Sequence, residues 1–168
     1  AIQAAAHLEW GLACWRQIEY PQAHEHYTRA LDLAHSHQLL QIEIDTLRGL
    51  GLLSLTENNY ADAIDHLEHS LALCRQSGNL RSESAALNAM GTIYLIIGDM
   101  QQARDYYQAA QRLLHSLGDQ IAEGRLVNNL GCVHQGEGDN YLAMTCFEQA
   151  LHIDQEVGDR AGMSAALT

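Results

Sequence analysis

Lysine is absent from this sequence of 168 residues, whose nine basic residues are all arginine. A phosphate-binding loop of the G-x-x-x-x-G-K-[ST] type requires a lysine, and so does an enzyme that forms a Schiff base with its substrate. Both chemistries are therefore excluded from this chain. Twenty-one acidic residues outnumber the nine basic ones and give a formal net charge of −12. Such a charge repels nucleic-acid phosphates and anionic membrane surfaces, so we expect neither as a partner.

Cysteine is scarce as well. The four cysteines form no C-x-x-C pair and match no zinc motif: Cys14, Cys74, Cys132 and Cys146. We interpret them as small, buried, apolar residues of a protein in the reducing cytoplasm. The sequence has no apolar run long enough for a membrane-spanning helix and no recognisable signal peptide. It also begins without methionine, so we expect it to be a piece of a longer protein.

Proline occurs once, whereas the 13 glycines are frequent and regularly spaced. Gly11, Gly51, Gly91 and Gly131 recur every 40 residues, and three other registers recur in phase with them. An alanine follows each glycine after twelve residues, a large apolar residue after sixteen and a small residue after nineteen. These sets are Ala23, Ala63, Ala103 and Ala143; Tyr27, Leu67, Tyr107 and Phe147; and Ala30, Ser70, Ala110 and Ala150. Such periodicity predicts a repeat protein.

The pattern within each repeat predicts two antiparallel helices, which we call A and B. The glycine lies inside the pattern of helix A, where it costs about 1 kcal/mol relative to alanine. A close approach of helix B would offset that cost, and we expect the alanine twelve residues later to make the contact. The predicted helices A are about 2–18, 41–57, 81–97 and 121–137, and the predicted helices B are about 21–37, 60–77, 100–117 and 140–157.

Gly-Asp and Gly-Asn pairs separate these helices, for example Gly98-Asp99 and Gly78-Asn79. Glycine suits the left-handed residue that ends one helix, and the polar side chain caps the next. Gln38-Leu39 replaces such a pair after the first repeat, so we expect a less sharply defined junction there. Residues 160–168 predict the start of a fifth helix A, packed through Met163 and Leu167 on the preceding helix B.

The pattern resembles the tetratricopeptide repeat family in a 40-residue form. The matching stretches are Leu-Asn-Ala-Met-Gly at 87–91, Leu-Gly-Cys-Val at 130–133, Gly-Asp-Met-Gln-Gln-Ala at 98–103 and Phe-Glu-Gln-Ala-Leu at 147–151. The resemblance implies an all-α solenoid of antiparallel helix pairs in a right-handed superhelix. It also implies a single array over 1–168, with repeats at about 1–40, 41–80, 81–120 and 121–160 and a fifth beginning at 161–168.

In the family that this chain resembles, helices A line a concave groove that binds proteins or extended peptides. The inward registers lie six and three residues before each glycine and one, four and five after it. The ligand-binding residues that the resemblance implies are Trp15, Arg48, Leu52, Leu55, Asn88, Thr92, Leu95, Arg125, Asn128, Asn129 and Cys132. Asparagine can pair with a peptide backbone and arginine with a carboxylate.

Alternatives exist for several of these residues. Trp15 would equally suit contact with a preceding repeat, and Arg48 and Arg125 would equally form solvated ion pairs with Asp45, Glu83 or Glu123. Trp10 stands one residue before Gly11, where the other repeats have Leu50, Met90 and Leu130, and is therefore expected in the core.

A metal site is the main chemical alternative, because Asp62, His66 and His69 are spaced to share one face of a helix. His66, however, occupies a packing register, and no fourth ligand is implied. Cys132 and His134 are two residues apart on a helix and so face different ways. We expect no enzyme activity, no metal and no cofactor.

The resemblance implies a protein-binding scaffold, and it suggests two settings for one. One is the ligand-sensing arm of a larger bacterial signal-transduction ATPase; the other is an adaptor such as kinesin light chain or the Leu-Gly-Asn-repeat polarity proteins. A passive structural spacer is a third possibility. Exposed ends of a cut array would also allow head-to-tail stacking of copies.

Overall fold

The computed structural model describes residues 1–158, which form eight helices and contain no strand. Connections of two or three residues join consecutive helices, whose bounds agree with the predicted ones to within two residues. They are α1 (Ile2–Arg16), α2 (Tyr20–Ser36), α3 (Leu40–Thr56), α4 (Tyr60–Ser77), α5 (Leu80–Ile97), α6 (Met100–Leu117), α7 (Gln120–Gly136) and α8 (Asn140–Val157). The predicted fifth helix A lies outside the described residues.

Contacts divide the chain into two compact units, unit 1 at Ala1–Ala86 and unit 2 from Leu87 onward. In unit 1, α1 packs on α2 and α3, α2 packs on α3, and α3 packs on α4. In unit 2, α6 packs on α7 and α7 packs on α8, while Gly91 places α5 against Tyr107 of α6. Each unit is therefore built from consecutive helices packed on one another, and the predicted all-α repeat fold is confirmed.

The repeating glycine of each helix A lies against a large side chain of the following helix B. A Cβ on Gly91 would stand 2.6 Å from Cδ1 and Cε1 of the Tyr107 ring, and a Cβ on Gly131 would stand 2.5 Å from Cε1 of Phe147. Tyr27 covers Gly11 in the same way. Real Cβ atoms do not approach so closely, so only glycine permits the ring to rest on the helix backbone.

The ring, rather than the alanine, is the group that requires glycine. We expected the alanine twelve residues on as the close partner. Only at Gly51 does that alanine supply one of the three nearest atoms, the carbonyl oxygen of Ala63 at 3.2 Å, and the other two belong to Leu67. The alanines are nevertheless buried, with Ala23, Ala63 and Ala103 at 0% exposure. Their small size lets helix B come close enough for the ring to reach the glycine.

Trp10 is not in the core, and the prediction for it is wrong. Its exposure is 57%, whereas Leu50 at the same register is 4% exposed. Leu50 is buried in a cluster with Ala23 and Tyr27 of α2, the helix that precedes its own. The ring of Trp10 lies instead beside α2, with its centroid 5.3 Å from that of the His26 ring.

Within residues 1–158, a residue in the left-handed conformation follows each of the eight helices, and five of these eight residues are glycine. Gly78, Gly98 and Gly118 have φ of 68°, 86° and 66°, as the Gly-Asp and Gly-Asn pairs predicted. Gln38 adopts φ of 53°, so the junction after the first repeat has the same turn and is not less sharply defined. It differs only in its cap, because Leu39 has no side-chain acceptor, whereas Asn79 Oδ1 accepts from the Ser82 N–H at 3.0 Å.

Two glycines of α7 offer a matched test of the glycine–ring contact. A Cβ at Gly131 meets the rigid ring of Phe147, while a Cβ at Gly136 meets only the flexible end of Met100. Gly136 is the last residue of α7, so its change to alanine gains no more helix propensity than the change at Gly131. We expect Gly131→Ala to be less stable than Gly136→Ala by about 1–3 kcal/mol, the usual cost of overpacking. Urea unfolding followed by circular dichroism measures the difference, and equal stabilities would contradict the packing described.

Ile18 offers a second test, because it is 72% exposed yet has φ of 64°. A left-handed conformation costs an L-residue about 1–2 kcal/mol, and a glycine at the same position avoids that cost. Glycine also makes the unfolded chain more flexible, which cancels only part of the gain in stability. We expect Ile18→Gly to raise the free energy of unfolding by about 0.5–1 kcal/mol. Ile18→Ala keeps the Cβ and serves as the control. A gain in the alanine variant equal to that in the glycine variant would refute the argument.

Candidate ligand-binding surfaces

A pocket with a volume of about 200 Å³ lies in unit 1 between α1, α2 and α3. We call it the Trp15 pocket. Three of the predicted binding residues, Trp15, Arg48 and Leu52, line it together. Its complete lining is Leu8, Glu9, Leu12, Trp15, Tyr27, Asp45, Arg48, Gly49 and Leu52. Six of these residues occupy the inward registers of helices A, as the resemblance implied.

Two buried donor atoms in this pocket have no hydrogen-bond partner. They are Nε1 of Trp15 and Nε of Arg48. The other side of the guanidinium does have a partner, since Arg48 Nη2 lies 3.4 Å from Asp45 Oδ1. The alternative ion pair of Arg48 with Asp45 is thus present, and it leaves Nε available. An unpaired buried donor costs free energy, which an acceptor on a ligand would recover.

Tyr27 also lines the Trp15 pocket, and the sequence patterns assigned it only to the core. The ring is wedged between two glycines. A Cβ at Gly49 would stand 2.8 Å from Cε1 and 2.9 Å from Cζ of Tyr27. Gly49 lies outside the 40-residue register of glycines, and the residues that correspond to it are Glu9, Ala89 and Asn129. In the sequence, this extra glycine is the feature from which an aromatic ring extending past helix A at Gly49 could have been predicted.

In unit 2 the corresponding inward residues bond to one another. Asn129 Nδ2 donates to Asn88 Oδ1 at 2.9 Å, from α7 to α5. Thr92 Oγ1 lies 3.0 Å from the Asn88 carbonyl oxygen and 3.1 Å from the Tyr107 hydroxyl. Hydrogen bonds therefore hold the side chains of Asn88, Thr92 and Asn129 in place, and all three residues are half-buried.

The remaining predicted binding residues are partly open to solvent. Leu55 in unit 1 and Leu95, Asn128 and Cys132 in unit 2 are half-buried, and Arg125 is exposed. Burial raises the pKa of the Cys132 thiol, which makes it a weaker nucleophile at neutral pH. Cys132 is accordingly suited to packing against a ligand rather than to attacking one.

Within residues 1–158, no group of three or more His, Cys, Asp or Glu side chains is arranged to hold a metal ion. This applies to Asp62, His66 and His69 as well. A more open hollow of about 550 Å³ lies along α2 beside His7. It is lined mainly by exposed polar residues of that one helix, so it offers a ligand less enclosure than the Trp15 pocket. Among the described helices, none combines the length and apolarity that crossing a membrane requires.

Paired helices in which a large side chain of helix B covers a glycine of helix A every 40 residues define an α-helical repeat protein. The sequence profile of the tetratricopeptide repeat family matches residues 42–116 and 82–156. These matches cover more than half of the chain, which therefore belongs to the tetratricopeptide repeat family. The fold supports a protein-interaction scaffold. No curated protein matches the sequence.

Several solved structures share the fold. BtubC (BKLC) from P. vanneervenii matches with a TM-score of 0.81 and 17% identity over 93% of this chain, which spans 65% of the BtubC chain. The N-terminal domain of stress-induced protein-1 (STI-1) from C. elegans matches at 0.59, with 14% identity over 76% of this chain and 94% of that one. MamA matches at 0.52, with 16% identity over 94% and 95% of the two chains. At these identities the likeness shows the fold alone.

Two buried tyrosines predict a loss of stability at alkaline pH. Burial raises the pKa of Tyr107 and of Tyr27, although Thr92 opposes this at Tyr107 and Arg48 opposes it at Tyr27. Because the folded pKa values exceed the unfolded ones, the contribution is complete below about pH 10 and is lost as pH rises through the folded values. We expect the free energy of unfolding in urea to fall between about pH 9 and about pH 11.

The variant Tyr107→Phe is expected to lose less stability over the same pH interval, because it has one phenol fewer to keep neutral. Tyr141 is 81% exposed, and Tyr141→Phe serves as its control. If Tyr107→Phe and Tyr141→Phe showed the same pH dependence of stability, the burial of Tyr107 would not be the cause of the alkaline loss.

Proposed function

We propose that this chain is a non-catalytic scaffold that binds an extended protein segment through the inner faces of its helices A. The observation that supports this most directly is the set of asparagine amides on unit 2. Asn128 is half-buried on α7, and Asn88 and Asn129 hold each other by a hydrogen bond.

An extended segment has the chemistry to satisfy these amides. Its backbone presents alternating N–H and C=O groups, and each asparagine offers two N–H donors and a carbonyl acceptor. The bond between Asn129 and Asn88 uses one donor and one acceptor lone pair and fixes both side chains. Fixed side chains lose little conformational entropy on binding, which favours affinity. Leu95 and Thr92 lie near the asparagines on α5 and would contact apolar side chains of the segment.

For its biological setting we propose the cytoplasmic, ligand-sensing segment of a larger bacterial signal-transduction ATPase. The alternatives are an adaptor for complex assembly and a passive spacer. The full-length gene distinguishes the settings: a G-x-x-x-x-G-K-[ST] motif would support the ATPase, and a heptad coiled coil would support the adaptor.

A displayed library of random peptides tests segment binding. We expect selected peptides to bind the chain and to bind Asn88→Ala/Asn128→Ala at least about tenfold more weakly, since each lost hydrogen bond is worth about 0.5–1.5 kcal/mol. The control is Gln108→Ala, which removes an exposed amide from α6 of the same unit. Circular dichroism melting checks that every variant is folded.

Two results would refute the proposal. One is that repeated selection yields no specific peptide. The other is that the selected peptides bind the asparagine variant and the Gln108→Ala control equally well, which would move the binding surface away from the helices A of unit 2.

A further inference from the structure

The Trp15 pocket contains hydrogen-bond donors that the protein itself does not use. Nε1 of Trp15 and Nε of Arg48 are buried without a partner. Tyr27 is only 2% exposed and lines the same pocket. An indole and a guanidinium N–H can only donate, and a tyrosine hydroxyl donates or accepts. A ligand group that pairs with these donors is therefore an acceptor, and one carbonyl oxygen has two lone pairs, enough for two of the three.

The matching residue of unit 2 shows what is different about Tyr27. Tyr107 occupies the same register, and its hydroxyl lies 3.1 Å from Thr92 Oγ1. In the first repeat Leu12 takes the place of Thr92, so the Tyr27 hydroxyl has no such partner. Gly49 leaves space for the far end of the Tyr27 ring, where a Cβ would lie 3.3 Å from the hydroxyl oxygen. Two changes from the repeat pattern, Leu12 and Gly49, thus leave the hydroxyl free for a ligand.

The charges around the pocket disfavour a ligand that carries a carboxylate. Asp45 and Glu9 line it beside the single cation, Arg48. Asp45 already accepts from Arg48 Nη2 at 3.4 Å and from Gln41 Nε2 at 2.8 Å. A ligand carboxylate would therefore face two like charges, whereas a neutral carbonyl oxygen would take the free N–H groups without that repulsion.

The size and the walls of the pocket indicate the rest of the ligand. Its volume of about 200 Å³ is below the roughly 300–1,000 Å³ of pockets that enclose drug-sized molecules. Leu8, Leu12 and Leu52 provide apolar walls. The space suits one apolar side chain rather than a whole small molecule.

We propose that the Trp15 pocket takes one uncharged apolar side chain of the bound segment together with an adjacent backbone carbonyl, whose oxygen accepts from the Trp15 indole N–H and the Tyr27 hydroxyl. This rests on the proposed function, because the residue belongs to a bound segment. The pocket would select a position of that segment for apolar character.

Nuclear magnetic resonance of the ¹⁵N-labelled chain tests the pocket directly. The chain has two tryptophans, so the indole N–H of exposed Trp10 is an internal control for that of Trp15. The probe is N-acetyl-leucinamide, which carries an apolar side chain and neutral carbonyls. We expect it to shift the Trp15 indole signal in a saturable way and to leave the Trp10 signal in place. N-acetyl-leucine, which differs by its carboxylate, is expected to bind more weakly.

Matched tyrosine variants test the role of the hydroxyl. Tyr27→Phe is expected to weaken N-acetyl-leucinamide binding about three- to tenfold, the usual effect of one hydrogen bond. Tyr107→Phe makes the same change where the hydroxyl already has a partner, and it is expected to leave the binding unchanged. The spectrum of each variant reports whether it is folded.

Several outcomes would overturn the proposal. They are an unchanged Trp15 signal at saturating probe, an equal response of Trp10, tighter binding of the carboxylate, and a Tyr27→Phe variant that binds as well as the parent chain. The Trp15 signal reports this pocket alone, and the peptide selection with the asparagine variants reports segment binding in unit 2. Failure of one proposal is therefore distinguishable from failure of the other.

Discussion

The contact between a glycine of helix A and a large side chain of helix B is the interaction on which the rest of the structure depends. Gly11 with Tyr27, Gly91 with Tyr107 and Gly131 with Phe147 repeat it with an aromatic ring. Since the glycine has no Cβ, the ring lies directly on the backbone, and the two helices take one spacing and one rotation. That fixed rotation decides which residues of helix A turn away from helix B. The inner registers of helix A are therefore not covered by helix B.

The same contact also differentiates the repeats, because an aromatic ring that crosses a glycine has a far end. Phe147 has no polar atom there, and Tyr107 places its hydroxyl against Thr92. Tyr27 reaches past Gly49 into the Trp15 pocket. One packing rule therefore yields a purely apolar contact, an internal hydrogen bond and a candidate binding group. Small changes around a contact that recurs in each repeat can in this way give equivalent positions different functions.

The structural neighbours share this scaffold but give no information about the partner. BtubC, STI-1 and MamA align with 14–17% identity, which is enough for a common fold and too little to carry over a binding site. In a repeat family the fold is maintained by a few small and large residues per repeat, while the inner side chains vary with the ligand. The function therefore has to be argued from Asn88, Asn128, Trp15 and Arg48 themselves.

The sequence alone determined the repeat length, the helix bounds and the left-handed turns that contain glycine, because these follow from local periodicity and from glycine at fixed positions. It also placed Trp15, Arg48 and Leu52 on a common face, which the structure brings together in one pocket. Only the tertiary structure decided that Trp10 is exposed, that a large side chain rather than an alanine covers each repeating glycine, and that Tyr27 lines the Trp15 pocket. Each of these depends on which neighbouring helix covers a side chain, and a periodic pattern within one helix does not contain that information.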